Sequence, residues 1–554
     1  MVTIRSRAAL LLTLALSLAA GPAGQTQWTA IHAQAAPAPA IEGERLRSHV
    51  EFLADDLLEG RKTGTRGYDL AALYAATQLE LFGLEPAGDA GSFLQPVPLR
   101  TATLESAAVT LTIDGGTPAA LKVPDQILVS PSLTARERTV SAPVVFAGYG
   151  VTAPEVGYDD YAGLDVEGTI VLVMSNAPPT FPSETRAHFA SMSVKTRNAA
   201  ERGAVGLLRM AGPEERKRYT WDQVLSHAGE PTLTWVTPEG DAGTGDGRLG
   251  AVGVIGPDLA DRMFAAAKLK PAEIEAAAVA GRTQSRPLSM SMAIRTTSRW
   301  DDISSANVIG KLAGSDPTLA DTSVVLTAHL DHTGLGSPVE GDTIYNGAYD
   351  NAMGSAIVLE LARAFAGAPE RPRRSVIFVL LTAEEQGLVG SDYFARYPGK
   401  AAGRMVANVN LDMPLFLTAS ADVAAFGMEN STLDVTVAEA VKRAGLALGP
   451  DPLPHENLFV RSDQYSFVKQ GIPAVYLIPG FTAADPGVNG GELVARFLRE
   501  HYHKPSDDLS RPFDVGAAER FTLANYYIAE AIANEPLAPT WKPGNFFGRT
   551  FGTR

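Results

Sequence analysis

Three short, nearly continuous apolar runs in the C-terminal half of the chain constrain its fold more than any other feature. The runs are Val324–Ala328, Ser375–Thr382 and Val406–Leu411. Runs of this length are typical of strands that are buried on both faces, as in sheets covered by helices. A helical apolar pattern over about 352–366 separates the first two runs. Because strands alternate with a helix, the sequence predicts an α/β domain with a central sheet.

Each of these runs is followed at once by acids or histidines. His329 and Asp331 follow the first run, Glu384 and Glu385 the second, and Asp412 the third. In an open α/β sheet, binding sites form at the carboxyl ends of the strands. Two adjacent acids at the end of a buried strand repel each other and lose solvation unless a cation compensates them. The pattern therefore favours a metal site at this edge of the sheet.

Two further segments carry residues of the same kind. Asp350 lies just before the predicted helix, where a role as the helix N-cap is the alternative explanation. His503 lies in a late cluster of His and Asp residues over 500–508. The chain contains no Cys, so a metal would have to be held by His and carboxylates. A bridging carboxylate, with one His and one further carboxylate for each ion, suits a two-zinc hydrolytic site. The residues of this set are His329, Asp350, Glu385, Asp412 and His503.

Together these segments resemble the ordered ligand motifs of the M28 family of dizinc aminopeptidases. The matching segments are Ala328–His332, Asp350–Gly354, Thr382–Gly387, Asn410–Met413 and Tyr502–His503. The resemblance covers roughly residues 42–129 and 298–535. It implies an α/β fold with a mixed, mostly parallel central sheet flanked by helices, and two Zn²⁺ ions per chain as cofactors.

The resemblance also implies a role for each candidate residue. The metal ligands would be His329 and Asp412 for one zinc, Glu385 and His503 for the other, and Asp350 as the bridge between them. The catalytic candidates are Glu384 as the general base, Asp331 as the partner that orients His329, and Tyr502 as a group that steadies the tetrahedral intermediate.

A separate small α+β module is predicted over 130–297. Its Gly148–Gly150 turn, the following Asp160-Tyr161 pair and the apolar run Ile170–Val173 resemble the protease-associated (PA) domain. The alternative is an ordinary α+β insertion with no role of its own. The expected organisation is a signal peptide and spacer at 1–35, the N-terminal part of the catalytic domain at 41–129, the insert at 130–297, the peptidase domain at 298–535 and a C-terminal tail at 536–554.

The first residues are typical of an export signal. Arg5 and Arg7 precede an apolar stretch, Ala8–Ala20, that is too short to span a bilayer. An uncleaved anchor is the alternative. We expect the mature protein to be exported, either periplasmic or secreted, without stable membrane insertion. The formal net charge of −15 argues against broad nucleic-acid binding, which needs a basic face.

The expected function is that of an exported zinc-dependent aminopeptidase that acts on peptide substrates. One alternative is a carboxypeptidase or dipeptidase of the same family, which needs a cation for a free C-terminal carboxylate, and Arg461 is the candidate for it. A second alternative is a non-catalytic, peptidase-like binding protein, but such relatives lose ligands and here the full set is present. The complete two-metal set likewise disfavours glutaminyl cyclase, a single-metal relative. We expect the insert to restrict access to the site without taking part in the chemistry.

Overall fold

The computed structural model describes residues 40–552 except 245, 246, 283 and 455, so the predicted signal peptide and spacer lie outside the described residues. The helices are α1 Gly43–Leu53, α2 Arg66–Leu81, α3 Ser183–Ala190, α4 Met192–Glu201, α5 Pro213–Arg218, α6 Trp221–Leu225, α7 Pro257–Ala266, α8 Pro271–Val279, α9 Met353–Ala366, α10 Val389–Arg396, α11 Leu433–Arg443, α12 Gln464–Val468, α13 Gly490–Glu500, α14 Val515–Asn534 and α15 Phe546–Phe551. Within the described part of the chain, no helix is both long and apolar enough to cross a lipid bilayer.

The strands are β1 Glu85–Pro86, β2 Leu94–Ile113, β3 Ala119–Leu121, β4 Ile127–Val129, β5 Glu137–Phe146, β6 Thr152–Ala153, β7 Tyr158–Asp159, β8 Ile170–Met174, β9 Gly206–Met210, β10 Thr232–Trp235, β11 Ala251–Ile255, β12 Arg286–Leu312, β13 Thr322–His329, β14 Gly334–Val339, β15 Asp342–Tyr345, β16 Ser375–Leu381, β17 Arg404–Asn410, β18 Asp422–Phe426, β19 Ala447–Gly449 and β20 Ala474–Pro479.

The C-terminal half forms a sheet in the order β19-β18-β20-β17-β13-β16-β12. Strand β13 runs parallel to β16 and β17, and β17 runs parallel to β20, whereas β12 and β18 are antiparallel to their neighbours β16 and β20. The three predicted apolar runs are the adjacent central strands β13, β16 and β17. The prediction of a mixed, mostly parallel sheet is confirmed.

Both faces of this sheet are covered, which explains the lack of polar alternation in its strands. Along β16, Val376, Phe378 and Leu380 pack into the core that contains α1, α2, α9, α11 and α14. The alternate residues Ile377 and Val379 pack on the opposite face with residues of α10 and α12. Each strand residue therefore loses its solvent contact whichever way it points.

The predicted insert contains a second group of strands, which continue the same sheet and have their own hydrophobic core. Strands β5, β8, β9 and β11 are parallel neighbours, and β4 is antiparallel to β11 at the edge. The long strands β2 and β12 pair with each other over most of their length, and β12 joins β5 at one end and β16 at the other. Because β2 and β4 precede residue 130, part of this group comes from outside the predicted range. The boundaries at 130 and 297 and the PA assignment stay predictions.

Candidate metal centre

The parallel strands bring the predicted ligands to one edge of the sheet. His329 is the last residue of β13, and Asp412 follows the end of β17 closely. His329 Nε2 lies 3.1 Å from Asp412 Oδ1 and 3.3 Å from Asp350 Oδ1. On the other side of Asp350, His503 Nε2 lies 3.1 Å from Asp350 Oδ2 and 3.2 Å from Glu385 Oε2. The structure therefore brings all the predicted ligand residues together.

These separations fit metal binding. Two ligand atoms that share one tetrahedral zinc, each about 2.0–2.1 Å from it, stand roughly 3.3 Å apart. All four His-to-carboxylate separations, from 3.1 to 3.3 Å, match that edge length. Asp350 turns one oxygen toward each His, which is the arrangement of a bridging carboxylate. The donor set, two imidazoles and three carboxylates, is one that zinc accepts.

Asp350 does not act as a helix cap. The N-cap residue of α9 is Ala352, and the Asp350 backbone has φ −116° and ψ 89°, outside the helical range. This extended backbone directs the carboxylate toward the two imidazoles. Its own N–H donates to Asp507 Oδ2 at 3.0 Å, so a second, buried carboxylate fixes the Asp350 main chain. The local backbone conformation therefore positions the Asp350 side chain and does not begin the helix.

A sharp turn after β16 separates the two adjacent acids. Ala383 adopts a left-handed conformation with φ 57°, which few residues other than Gly adopt. The Asp331 carboxylate holds this turn, because Oδ1 accepts from Glu384 N at 3.1 Å and Oδ2 accepts from Thr63 Oγ1 at 3.2 Å. His329 Nδ1 lies 3.1 Å from the Asp331 main-chain oxygen but 4.0 Å from its carboxylate. The main-chain oxygen of Asp331 is therefore the atom placed to orient His329.

Glu384 is half-buried beside this cluster, and its environment suits a proton acceptor. Burial raises the pKa of Glu384 well above its usual value, and the charges of Asp412, Asp463 and Glu385 act in the same direction, against a lowering effect of His329. A carboxyl group with a raised pKa is better matched to proton transfer near neutral pH. Burial thus shifts the acidity of Glu384 in the direction that the predicted role requires, and that role stays a prediction.

Tyr502 covers the ring of His503, with ring centroids 3.9 Å apart and planes inclined by 31°. Burial, reinforced by the charge of Asp350, raises the pKa of Tyr502 well above its usual value. The phenol therefore keeps its proton and remains a hydrogen-bond donor close to the predicted metal site.

The comparison with known proteins finds a family match for the segment that carries the site. Residues 307–529 match the sequence model of peptidase family M28, a segment that contains every predicted ligand. This segment of the chain is similar to peptidase family M28. The aminopeptidase from Aneurinibacillus sp. strain AM-1 has a similar structure, with a TM-score of 0.51 and 19% identity, covering 90% of this chain and 97% of that one. At this identity the likeness concerns the fold, and it extends beyond the M28 segment.

Curated relatives of this chain match over limited stretches. Leupeptin-inactivating enzyme 1 of Streptomyces exfoliatus is 29% identical over 239 residues, which are 42% of this chain and 50% of that protein. A protein of Pyrenophora teres f. teres described as a probable zinc metalloprotease is 34% identical over 106 residues, 19% of this chain and 22% of that one. The chain thus spans half or less of the length of these relatives.

Arg461 lies on the rim of the M28 site and is already paired. Its Nη1 lies 3.1 Å from Glu456 Oε2, while the other oxygen of Glu456 lies 2.5 Å from Arg218 Nη1 on α5 of the insert. These residues line a cleft of about 560 Å³ between the insert and the M28 segment. Arg461 is surrounded by charged or polar groups that include Tyr219 and Glu384. Tyr219 also lines the cleft. Arg461 therefore lines the cleft and also lies within electrostatic range of Glu384.

Two buried residues without a predicted role lie directly behind the ligands. His332 Nδ1 lies 2.6 Å from Glu385 Oε1. Asp507 accepts hydrogen bonds from the backbone N–H groups of Tyr349 and Asp350, both at 3.0 Å. His332 and Asp507 lie in the segments that carry the predicted ligands. The sequence does not predict which atoms they contact.

Arg61 is a third residue that sequence reasoning missed. Its fully buried guanidinium donates to the main-chain oxygens of Leu330 at 2.9 Å, Asn346 at 2.6 Å and Gly347 at 3.0 Å. These oxygens belong to the loops that carry His329 and Asp350. Burial lowers the pKa of Arg61 to about 10, so the side chain keeps its charge at neutral pH. A loop of charged and Gly residues at 60–67 gave no sign that one Arg would be buried.

Proposed function

We propose that this protein is an aminopeptidase that uses two zinc ions to remove N-terminal residues from peptides. The observation that carries the proposal is the position of Asp350, whose two oxygens each face a separate His-and-carboxylate pair. The family match and the names of the relatives, a zinc metalloprotease and an aminopeptidase among them, support it.

The chain's own residues divide the chemistry between them. Zinc ions bound by this donor set would supply Lewis acidity, polarising a peptide carbonyl and making a water more acidic. Glu384 would accept the proton of the attacking water and return it to the leaving amine. Tyr502, still protonated, would donate a hydrogen bond to the oxygen on which negative charge develops. The Asp331 carboxylate, which accepts from the backbone N–H of Glu384, would keep Glu384 in place.

The pairing of Arg461 argues against a substrate that is held by its C-terminal carboxylate. A carboxypeptidase would need a cation for the substrate carboxylate, and Arg461, the candidate for that role, is already bonded to Glu456. We therefore favour the aminopeptidase over the carboxypeptidase or dipeptidase.

We further propose that the protein is exported and that its insert, a PA domain by resemblance, forms one wall of the approach to the site. The N-terminal pattern at 1–24 supports export. Contacts of α3 with the M28 segment support the second point, since His188 Nδ1 lies 2.5 Å from the Tyr465 hydroxyl and Gly427 N donates to Glu184 Oε1 at 2.7 Å.

The test compares one peptide with a free N-terminus and the same peptide N-acetylated, each incubated with the purified full chain. We expect the free peptide to lose residues from its N-terminus and the acetylated one to resist. Dialysis against a chelator should abolish the activity and added zinc should restore it, with about two zinc ions per chain by elemental analysis. C-terminal trimming of the acetylated peptide would contradict the aminopeptidase assignment, and activity in metal-free protein would contradict the metal requirement.

A further inference from the structure

Glu385 lies between two histidines, and its two oxygens meet them at different separations. Oε2 lies 3.2 Å from His503 Nε2, which matches the edge of a shared tetrahedral ion. Oε1 lies only 2.6 Å from His332 Nδ1, which is shorter than that edge and is the length of a charge-assisted hydrogen bond. The two histidines therefore have different relations to the same carboxylate.

We infer that His332 is a positioning residue, which donates its Nδ1–H to Glu385 Oε1 and so leaves only Oε2 for the metal ion shared with His503. This inference rests on the two-metal site proposed above. An outer hydrogen bond of this kind fixes the orientation of a ligating carboxylate, and its loss typically weakens metal binding 10- to 100-fold.

The surroundings of His332 argue against a role in packing alone. The residue is fully buried, and its Nε2 has no hydrogen-bond partner among the described residues. Leaving a buried ring nitrogen unbonded is unfavourable, so an apolar ring would fill this space at lower cost. The bond to Glu385 is the interaction that accounts for an imidazole here.

The ring is also held in one orientation. A Cβ placed on Gly347 would come within 2.5 Å of His332 Cγ and Cδ2, so the ring lies directly against the Gly347 backbone. The backbone N–H of His332 donates to the Arg61 main-chain oxygen at 3.3 Å. The main-chain bond thus fixes the His332 backbone, and the Gly347 backbone limits rotation of the ring that presents Nδ1 to Glu385.

The consequence is an unequal effect on the two ions. Among the described hydrogen bonds, none joins the His332 side chain to His329 or Asp412. Removing the imidazole should weaken the ion bound by Glu385 and His503 and spare the ion bound by His329 and Asp412. If His332 had only a structural role, its removal would weaken the binding of both ions together, because less of the protein would be folded.

The experiment measures zinc stoichiometry and affinity by competition with a chromophoric chelator, on the full chain with no substrate present. For His332→Phe we expect one of the two zinc ions, the one assigned to Glu385 and His503, to lose 10- to 100-fold in affinity while the other changes less than about twofold. His332→Asn, whose amide nitrogen takes nearly the place of Nδ1, should restore most of the loss. The matched control is His49→Phe, a buried His bonded to the Tyr74 hydroxyl at 2.8 Å, which should bind zinc like the wild type.

Thermal unfolding shows whether each variant is folded. A folded His332→Phe protein that binds both ions with wild-type affinity would overturn the inference and leave the proposed function standing. If that variant does not fold, His332→Gln replaces it, because its amide extends beyond the Nδ1 position. Equal affinities of the Gln and Asn variants for the ion bound by Glu385 and His503 would then overturn the inference. Wild-type protein that binds fewer than two ions would instead contradict the two-zinc function itself.

Discussion

Exchanging each of the two adjacent glutamates for glutamine separates the base from the ligand. Gln has the size of Glu but neither the charge nor the proton affinity. Glu384 is held through its backbone N–H, which donates to Asp331 Oδ1, so the substitution leaves that contact intact. Glu385 instead uses both side-chain oxygens, one toward His503 and one toward His332. The two substitutions should therefore affect different properties.

For Glu384→Gln the expected loss is in rate. General-base action contributes about 10²–10⁴-fold, which corresponds to roughly 3–5 kcal/mol in the activation barrier. The carboxylates of Asp350, Asp412 and Glu385 each face a His and are not free to replace the base. We expect kcat to fall by this factor with little change in KM, because substrate binding does not require the proton transfer. Metal content should stay at the wild-type value.

For Glu385→Gln the expected loss is in metal binding. The imidazoles of His503 and His332 outweigh the effects of burial and of Asp350, and they lower the pKa of Glu385 to about 2, so this position stabilises the ionised form. An uncharged amide is a poor zinc ligand, and one ion should be lost on dialysis. High added zinc should then recover part of the activity.

The assay pairs elemental analysis with kcat and KM on a peptide with a free N-terminus. The reasoning would be refuted if Glu384→Gln lost metal while Glu385→Gln kept both ions and was only slower. The pH profile adds an independent check on the base. The Glu384 pKa is raised and the base must be ionised, so wild-type kcat/KM should fall as the pH drops through that pKa. The residual activity of Glu384→Gln should lack this acidic limb.

Three further predictions concern the support of the site. Arg61→Met leaves buried main-chain oxygens unpaired, and chemical denaturation should show a loss of at least about 2–4 kcal/mol. Asp392→Asn weakens bonds to Trp235 at 3.0 Å and Lys469 at 3.0 Å, and should cost about 1–3 kcal/mol at pH 7. Because the Asp392 pKa is lowered in the folded state, this difference from the wild type should shrink as the pH falls below about 4. Replacing residues 106–297 by a two-residue turn should retain two zinc ions per chain and raise the rate on long peptides relative to short ones; loss of both ions from a folded deletion would contradict this.

The sequence was most informative where burial and charge coincide. The runs that became β13, β16 and β17 were apolar on both faces, and acids at their ends had to meet because parallel strands end at one edge. The role of Asp350 is harder to predict from the sequence, because a residue just before a helix can equally well be its N-cap. Only the three-dimensional contact with His329 and His503 separates the two explanations.

The remaining contacts depend on long-range packing that no local pattern encodes. Arg61 bonds to oxygens more than 250 residues away in the chain, and a charged loop residue carries no sign of such burial. Strands β2 and β12, of 20 and 27 residues, likewise have no local sequence signal of their length. The alternation of polar and apolar residues changes along each of these strands, because each strand passes from one hydrophobic core to another.

The ribbon of β2 and β12 also sets how the insert can move. A domain on flexible linkers swings as a separate body, but this one continues the hydrogen-bond ladder of the M28 sheet through both of its connections. Within the β2–β12 ribbon, the pairing shifts register between Thr297 and Ser298. Bending there would change the width of the cleft with the least disruption of backbone bonds. The elasticity of two paired strands, rather than the slack of a linker, would then govern how readily a long peptide is admitted.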